Sequence, residues 1–199
     1  MSDNATTRNI FFSGVGGQGA ILASNLLGQV LFNAGYNVKK AEIRGMAQRG
    51  ADVTTHFRYG TTIYSPLIKE GEADWLVSFE LLEGLRHINR VKPDGMAILN
   101  NHAIIPPDVL LGKMGYPGAI EHEFRKHFKD NVWMVNAYGI SKQIGNIQAA
   151  NVALIGAFSN FFPELDAGRW IAGIKGILPA KLHAINIEAF LQGKAAINV

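Results

Sequence analysis

Short apolar runs alternate along the chain with longer stretches in which apolar residues recur every three or four positions. Asn9-Ile10-Phe11-Phe12-Ser13 is the first run, bounded by Arg8 and Gly14. Its length and aromatic content predict a buried strand. From Ala20 to Ala34, Ile21, Leu22, Leu26, Val30 and Leu31 fall mainly on one helical face. Gly35 stops that helix, and Tyr36 opens a second strand to about Glu42. Strand, glycine turn, helix and strand predict a βαβ unit, with a parallel pair joined by a right-handed crossover.

Ala51 to Tyr59 has the other period. Val53, Thr55 and Phe57 face one way and Asp52, Thr54, His56 and Arg58 the other, which predicts a half-exposed strand. Tyr59-Gly60-Thr61 reads as a hairpin turn into Thr62-Ile63-Tyr64, an antiparallel excursion. Asp74–Phe79 is a buried strand, Leu81–Val91 a helix, Pro93-Asp94-Gly95 a turn and Met96–Leu99 a strand. Asn100 to Pro117 reads as a long connection. Gly118–Lys129 is amphipathic through Ile120, Phe124 and Phe128, and Val132–Val135 is a late strand. Ala137–Gly145 and Ile147–Phe162 read as helices, the second apolar on most sides and so buried. Asp166–Ile177 and Ile187–Leu191 read as terminal helices. The alternation predicts a three-layer α/β/α class, Rossmann-like, with a mostly parallel sheet and a β-hairpin excursion.

Composition narrows the chemistry. The 199 residues fit one domain, expected over 8–192 with flexible ends at 1–7 and 193–199. There is no cysteine, which excludes disulfides, zinc–thiolate sites, protein-ligated iron–sulfur clusters and a cysteine nucleophile within this chain. A net charge of +3 without a basic run argues against nucleic acid. No apolar run approaches the ~20 residues of a membrane helix, and the polar start Met1–Thr7 is no signal peptide. The expectation is a cytoplasmic protein.

Gly14, Gly16 and Gly19 satisfy G-x-G-x-x-G with Gly17 as a fourth glycine, between a predicted strand and a predicted helix. Such a loop lets backbone N–H groups reach phosphate oxygens at a helix N-terminus. It equally lets a helix pack tightly on a sheet, and both readings stay open. Glu42 stands where a dinucleotide fold places its ribose-binding acid. No Gly-Lys-Ser/Thr follows the glycines, so this is not a Walker A loop. Met46-Ala47-Gln48-Arg49-Gly50 lies beyond the second strand, on the sheet edge where ligands bind in open α/β folds. Arg49 suits phosphate or carboxylate; a plain surface loop explains the segment as well. Of the six histidines, His122 and His127 are five apart on a helix and do not converge on one metal. No H-E-x-x-H occurs, and His56, His87, His102 and His183 read with them as surface or partly packed groups. G-x-S-x-G is absent, and Pro93-Asp94-Gly95 with Asn100-Asn101 only mimics a thiamine diphosphate pattern at too short a spacing.

Four segments occur in a telling order: Gly14-Val15-Gly16-Gly17-Gln18-Gly19; Glu42 through Gly50; Tyr64-Ser65-Pro66-Leu67-Ile68 with Gly71-Glu72-Ala73-Asp74; and Gly145 through Asn151. Together, over roughly Asn9 to Leu191, they resemble the gamma-type subunits of 2-oxoacid:acceptor oxidoreductases, most nearly those acting on indolepyruvate. The resemblance implies an α/β/α subunit that is inactive alone and binds no cofactor by itself. Partner chains would hold thiamine diphosphate, Mg and iron–sulfur clusters, oxidise an aryl 2-oxoacid such as indolepyruvate or phenylglyoxylate to its acyl-CoA, and pass electrons to ferredoxin or another acceptor. This chain would help close the coenzyme A side of the site. Gly14, Gly16, Gly17, Gln18, Gly19, Gln48 and Arg49 would be its ligand-binding residues, and Arg44, Met46 and Gly50 its partner or coenzyme loop. Arg44-Gly45 and Gly50-Ala51 depart from the His-Gly and Gly-Gly common in indolepyruvate subunits. The alternative is a free-standing Rossmann-type NAD(P) oxidoreductase using Gly14, Gly16, Gly19 and Glu42.

Overall fold

A computed structural model describes residues 7–45 and 51–198. The elements run β1 (Arg8–Val15), α1 (Ala20–Asn33), β2 (Asn37–Arg44), β3 (Asp52–Gly60), β4 (Ala73–Ser78), α2 (Leu81–Arg86) and β5 (Val91–Asn100). They continue with α3 (Pro107–Leu110), α4 (Ile120–Phe128), β6 (Val132–Val135), α5 (Ala137–Gln143), α6 (Ala150–Phe158), α7 (Ala167–Ile177) and α8 (His183–Ala195). One sheet holds the strands in the order β2-β3-β1-β4-β5-β6. β1, β4, β5 and β6 pair in parallel, and β3 runs antiparallel to both β1 and β2.

Helices cover both faces, so the three-layer α/β expectation holds. Successive residues of β1 enter opposite cores. Ile10 and Phe12 pack with α1, α6, α7 and α8, whereas Phe11 packs with Leu76, Leu99 and the α4 residues Ile120, Phe124 and Phe128. That double burial is why Ile10-Phe11-Phe12 is a continuous apolar run. α6 is buried along its whole length from Asn151 to Phe158, as its all-round apolar sequence predicts. It meets α8 without intervening side chains. A Cβ on Gly156 would overlap the Phe190 carbonyl, and one on Gly193 the Ala153 carbonyl.

Several local expectations are corrected. β1 and β2 do not form a parallel pair, because β3 lies between them, registered Phe11↔His56 and Ala41↔His56. Charge explains the order. Lys39, Lys40, Glu42 and Arg44 suit β2 to an edge, while Phe57, fully buried, needs a central strand. The antiparallel excursion is therefore β2–β3, and residues 62–64 form no strand. β3 is not half-exposed: Thr54 and His56 are only 4% accessible. Pro93-Asp94-Gly95 lies inside β5, beside a register shift between Ala73 and Trp75, rather than in a turn. The predicted Leu81–Val91 helix breaks into α2 and a 3-10 turn at Ile88–Arg90. The helix expected at Ile187–Leu191 begins at His183 and runs to Ala195, with Gly193 buried. Residues 1–6 lie outside the described residues.

Candidate functional site

The parallel strands β1, β4 and β5 end on one edge of the sheet, and a cavity of about 330 Å³ opens there. The turn after β1 contributes Gly16, Gly17 and Gln18, the strand ends Phe79 and Asn100, and the connection beyond β5 His102 and Ile104. Tyr138 of α5 and Ile147, Gln148, Ala150 and Asn151 before and within α6 close the far side. The two sequence segments Gly14–Gly19 and Gly145–Asn151 thus meet across one cavity, although more than a hundred residues separate them.

Paired amides hold the rim. The Val15 N–H donates to Gln18 Oε1 at 2.8 Å, and Gln18 Nε2 donates to the Phe79 carbonyl at 2.9 Å. Asn100 Nδ2 donates to the same carbonyl at 3.1 Å, and its Oδ1 accepts the Tyr138 N–H at 3.3 Å. Asn151 Nδ2 donates to the Gly19 carbonyl at 3.2 Å. The Gly16 N–H donates to the Ala51 carbonyl at 2.9 Å, tying the glycine turn to the start of β3. Buried amides satisfied at both ends fix a backbone better than apolar contacts of equal size, because moving any one strands its partner.

The glycines divide by role. Gly17 (φ +101) and Gly19 (φ +78) need the left-handed region. A Cβ on Gly19 would also overlap the Asn151 amide. Gly14 sits inside β1 against Phe79 and is absent from the lining. Gln18 uses both ends of its amide on the protein itself. Arg44 ends β2, exposed, with Nη2 3.0 Å from Glu42 Oε2. Met46, Gln48, Arg49 and Gly50 lie outside the described residues. Glu42 is the acid of the dinucleotide reading, and β3 separates its strand from β1. Its carboxylate is held by Lys40 and Arg44, which also hold it below the usual carboxylate range, the Lys40 hydrogen bond first. It is not beside the glycine turn, so the geometry a ribose-binding acid requires is missing.

The sequence points to none of Asn100, His102 and Tyr138 as site residues, and reads His102 as a surface or partly packed group. His102 and Tyr138 stack with centroids 4.2 Å apart and planes 5° from parallel. Among the described residues they are the lining's titratable side chains, and no Lys, Arg, Asp or Glu contributes to it. The position of Asn100, closing the Met96–Leu99 run, was the available signal, since strand ends on this edge carry ligand sites. Glu80 was missed as well. Only 1% accessible, it accepts from the Glu83 N–H at 2.8 Å, the Ile104 N–H at 3.0 Å and the Tyr116 hydroxyl at 3.2 Å. It caps α2 and pins the long connection that brings His102 to the cavity. Burial, then the Glu80 charge, pushes the Tyr116 phenol up to about 12. Chemically, the cavity offers amides and a flat aromatic pair, a lining suited to holding a neutral or planar group.

The pyruvate ferredoxin/flavodoxin oxidoreductase model matches residues 9–196. The chain belongs to that family. It is 37% identical over 192 residues to the indolepyruvate oxidoreductase subunit IorB of Thermococcus kodakarensis, covering 94% of this chain and 95% of that protein. The crystal structure of the pyruvate oxidoreductase subunit PORC from Thermotoga maritima superposes with a TM-score of 0.71 at 21% identity, over 96% of this chain and 97% of that one. A 2-oxoglutarate:ferredoxin oxidoreductase from Magnetococcus marinus, solved with 2-oxoglutarate, coenzyme A and succinyl-CoA bound, has the same TM-score of 0.71 at 17% identity. Its match covers 96% of this chain but 31% of that one, so there the fold is one part of a longer chain. The first two relatives are named as oxidoreductase subunits, and the chain resembles both along nearly its whole length. Among its described residues no helix is long and apolar enough to cross a membrane.

Proposed function

We propose that this gamma-type subunit is the non-redox chain of a cytoplasmic, thiamine diphosphate- and iron–sulfur-dependent complex that converts an aryl 2-oxoacid, such as indolepyruvate or phenylglyoxylate, to its acyl-CoA. Its cavity would form part of the coenzyme A side of the site. The observation that carries this reading is the meeting of the glycine turn with Ile147–Asn151 across a neutral, amide-lined cavity in a chain without cysteine. No thiolate here could ligate a cluster, so the clusters would belong to partner chains; the family resemblance assigns the thiamine site and the ferredoxin contact to those chains as well. The relatives' names support indolepyruvate as the acid.

The cavity's size limits its share of the coenzyme. At about 330 Å³ it lies at the small end of the ~300–1,000 Å³ typical of ligand pockets. It takes a ring or an amide-bearing arm, and phosphates would need cations beyond the described lining, Arg49 being the candidate from the sequence. In the reconstituted complex, Tyr138→Ala and Arg49→Ala should each raise the Michaelis constant for coenzyme A about tenfold or more, the loss of ~1.5–3 kcal/mol expected for a charge-assisted hydrogen bond at Arg49. The Michaelis constant for the 2-oxoacid should stay put. Unchanged coenzyme A kinetics in both variants would reduce the chain to a scaffold. Purification of the native chain without a thiamine-binding partner would remove the reading altogether.

A further inference from the structure

A second cluster lies on the other side of the glycine turn's anchor. Asp52 opens β3 opposite Val15, the last residue of β1. Glu83 projects from α2, and His87 closes that helix. One donor atom from each, two carboxylate oxygens and an imidazole nitrogen, lies within 4.8 Å of the others. His87 Nε2 stands 3.1 Å from Asp52 Oδ2. The Glu83 side chain is 6% accessible, and Arg86 takes only its Oε1, at 2.7 Å. Glu83 Oε2 and Asp52 Oδ1 are buried with no hydrogen-bond partner among the described residues. A buried carboxylate oxygen without a donor is costly, and the two carboxylates gathered with one imidazole form an incomplete set of ligands. Phe11 packs against the His87 ring, at 5.2 Å between centroids, and limits its movement.

We propose that Asp52, Glu83 and His87 bind a divalent transition-metal cation. One imidazole and two carboxylates suit Zn²⁺, Mn²⁺ or Co²⁺ rather than Mg²⁺ or Ca²⁺, which favour all-oxygen shells. The cation would supply the missing partner for both orphaned oxygens and join the start of β3 to α2. Ala51, whose carbonyl accepts the Gly16 N–H, is next in sequence, so the same bolt would steady the rim of the cavity. The site is separate from the cavity and does not depend on what the cavity binds.

The test uses the full chain, stripped with chelator and titrated with Zn²⁺, Mn²⁺, Co²⁺ and, as the contrast, Mg²⁺. One Zn²⁺ or Mn²⁺ per chain should bind saturably and raise the unfolding temperature, and Co²⁺ should give visible absorption bands. Asp52→Asn, Glu83→Gln and His87→Ala should each weaken binding tenfold or more and alter the Co²⁺ spectrum, whereas the pair His122→Ala and His127→Ala should change neither. Asp52→Asn, at a part-exposed position, keeps the test open if the buried variants fail to fold. Three results would overturn the proposal: no saturable binding, binding lost only with His122 and His127, or wild-type affinity in all three ligand variants. A stable Glu83→Gln chain with no metal response in the parent would assign the orphaned oxygens to a shared proton instead.

Discussion

The two faces of the sheet are built on different principles. The face under α1, α6, α7 and α8 holds the larger apolar core, with Phe12, Phe57, Phe158, Phe162, Trp170 and Phe190 in one continuous cluster. The face under α2 and α4 has a smaller apolar cluster around Phe11, Phe124 and Phe128. It is laced with Ser13, Thr54, His56 and Ser78, all buried. The first face holds mainly by volume, and the second leans more on the partners of its buried polar groups. Loss of fit should therefore dominate on the first, and loss of a partner or a change of protonation on the second.

The largest effect should come from the glycine contacts of the first face. Gly193→Ala or Gly156→Ala sets a methyl against a backbone carbonyl of the facing helix, which cannot rotate away as a side chain can. Overpacking costs ~1–3 kcal/mol where side chains can adjust, occasionally more, and these two substitutions should reach or exceed the top of that range. Chemical denaturation should show the loss undiminished from pH 5 to pH 8. A loss below ~1 kcal/mol would mean that the α6–α8 pair slides apart freely, and the contrast of the faces would fail on this side.

Next comes Glu80→Ala, on the second face's terms. It strands the Glu83 and Ile104 N–H groups and the Tyr116 hydroxyl. An unsatisfied buried donor costs ~1–3 kcal/mol, so about 2–3 kcal/mol is expected overall. Hydrogen exchange should speed up selectively across 102–116, because Glu80 is what pins that connection. Uniform acceleration over the whole chain would instead make Glu80 a general core residue.

His56 tests the second face by protonation. Burial holds its imidazole below the usual range, with Arg90 and His87 adding to the effect. Its Nδ1 accepts the Ile68 N–H at 3.0 Å, which requires the neutral ring. Because the folded pKa is lowered, the unfolded chain binds more protons once the pH drops below ~6.5. The contribution is complete above that value and shrinks as pH falls toward the folded pKa, by at most ~1.4 kcal/mol per pH unit. Urea melts of wild type and His56→Gln should differ in stability more at pH 7 than at pH 5. Parallel pH profiles would show that His56 titrates normally in the fold.

What could be read from the sequence divides along the same line. The apolar face was legible because its signals are periodicity and length: β1, α1 and the buried α6 all follow from spacing. On β3 the alternation correctly sorted Thr54, His56 and Arg58 onto one side, but polarity was equated with solvent. That side is covered by the 64–68 segment, with the Ile68 N–H on His56 and the Arg58 guanidinium on the Ser65 carbonyl at 2.9 Å. Sequence spacing does not encode such cover. The cavity was half legible. Its glycine turn carries a motif, and Gly145–Asn151 entered through resemblance. Asn100, His102 and Tyr138 reach it only through a connection whose path is set by Glu80. The inserted position of β3 was hidden because a βαβ pattern reads the same whether or not a later strand enters between its two strands.

The edge strand sharpens the comparison from outside, since β2 belongs fully to neither face. There Glu42 sits between Lys40 and Arg44, with oxygen–nitrogen distances of 2.7 and 3.0 Å. Exposed ion pairs are worth ~0–1 kcal/mol because solvent screens them and ordering long side chains costs entropy. Glu42→Gln should accordingly cost less than ~1 kcal/mol, and the difference from wild type should vanish in molar salt, where the Debye length falls to ~3 Å. Its pKa is lowered in the fold, so what the carboxylate contributes is present at neutral pH and lost as pH falls through the folded value, the same direction as His56 but at lower pH. NAD(H) titration of both proteins adds a second reading. If the edge is only a charged rim, neither binds. If wild type binds the nucleotide and Glu42→Gln does not, the acid reaches a ligand across β3, and the charges on β2 serve more than to blunt an edge.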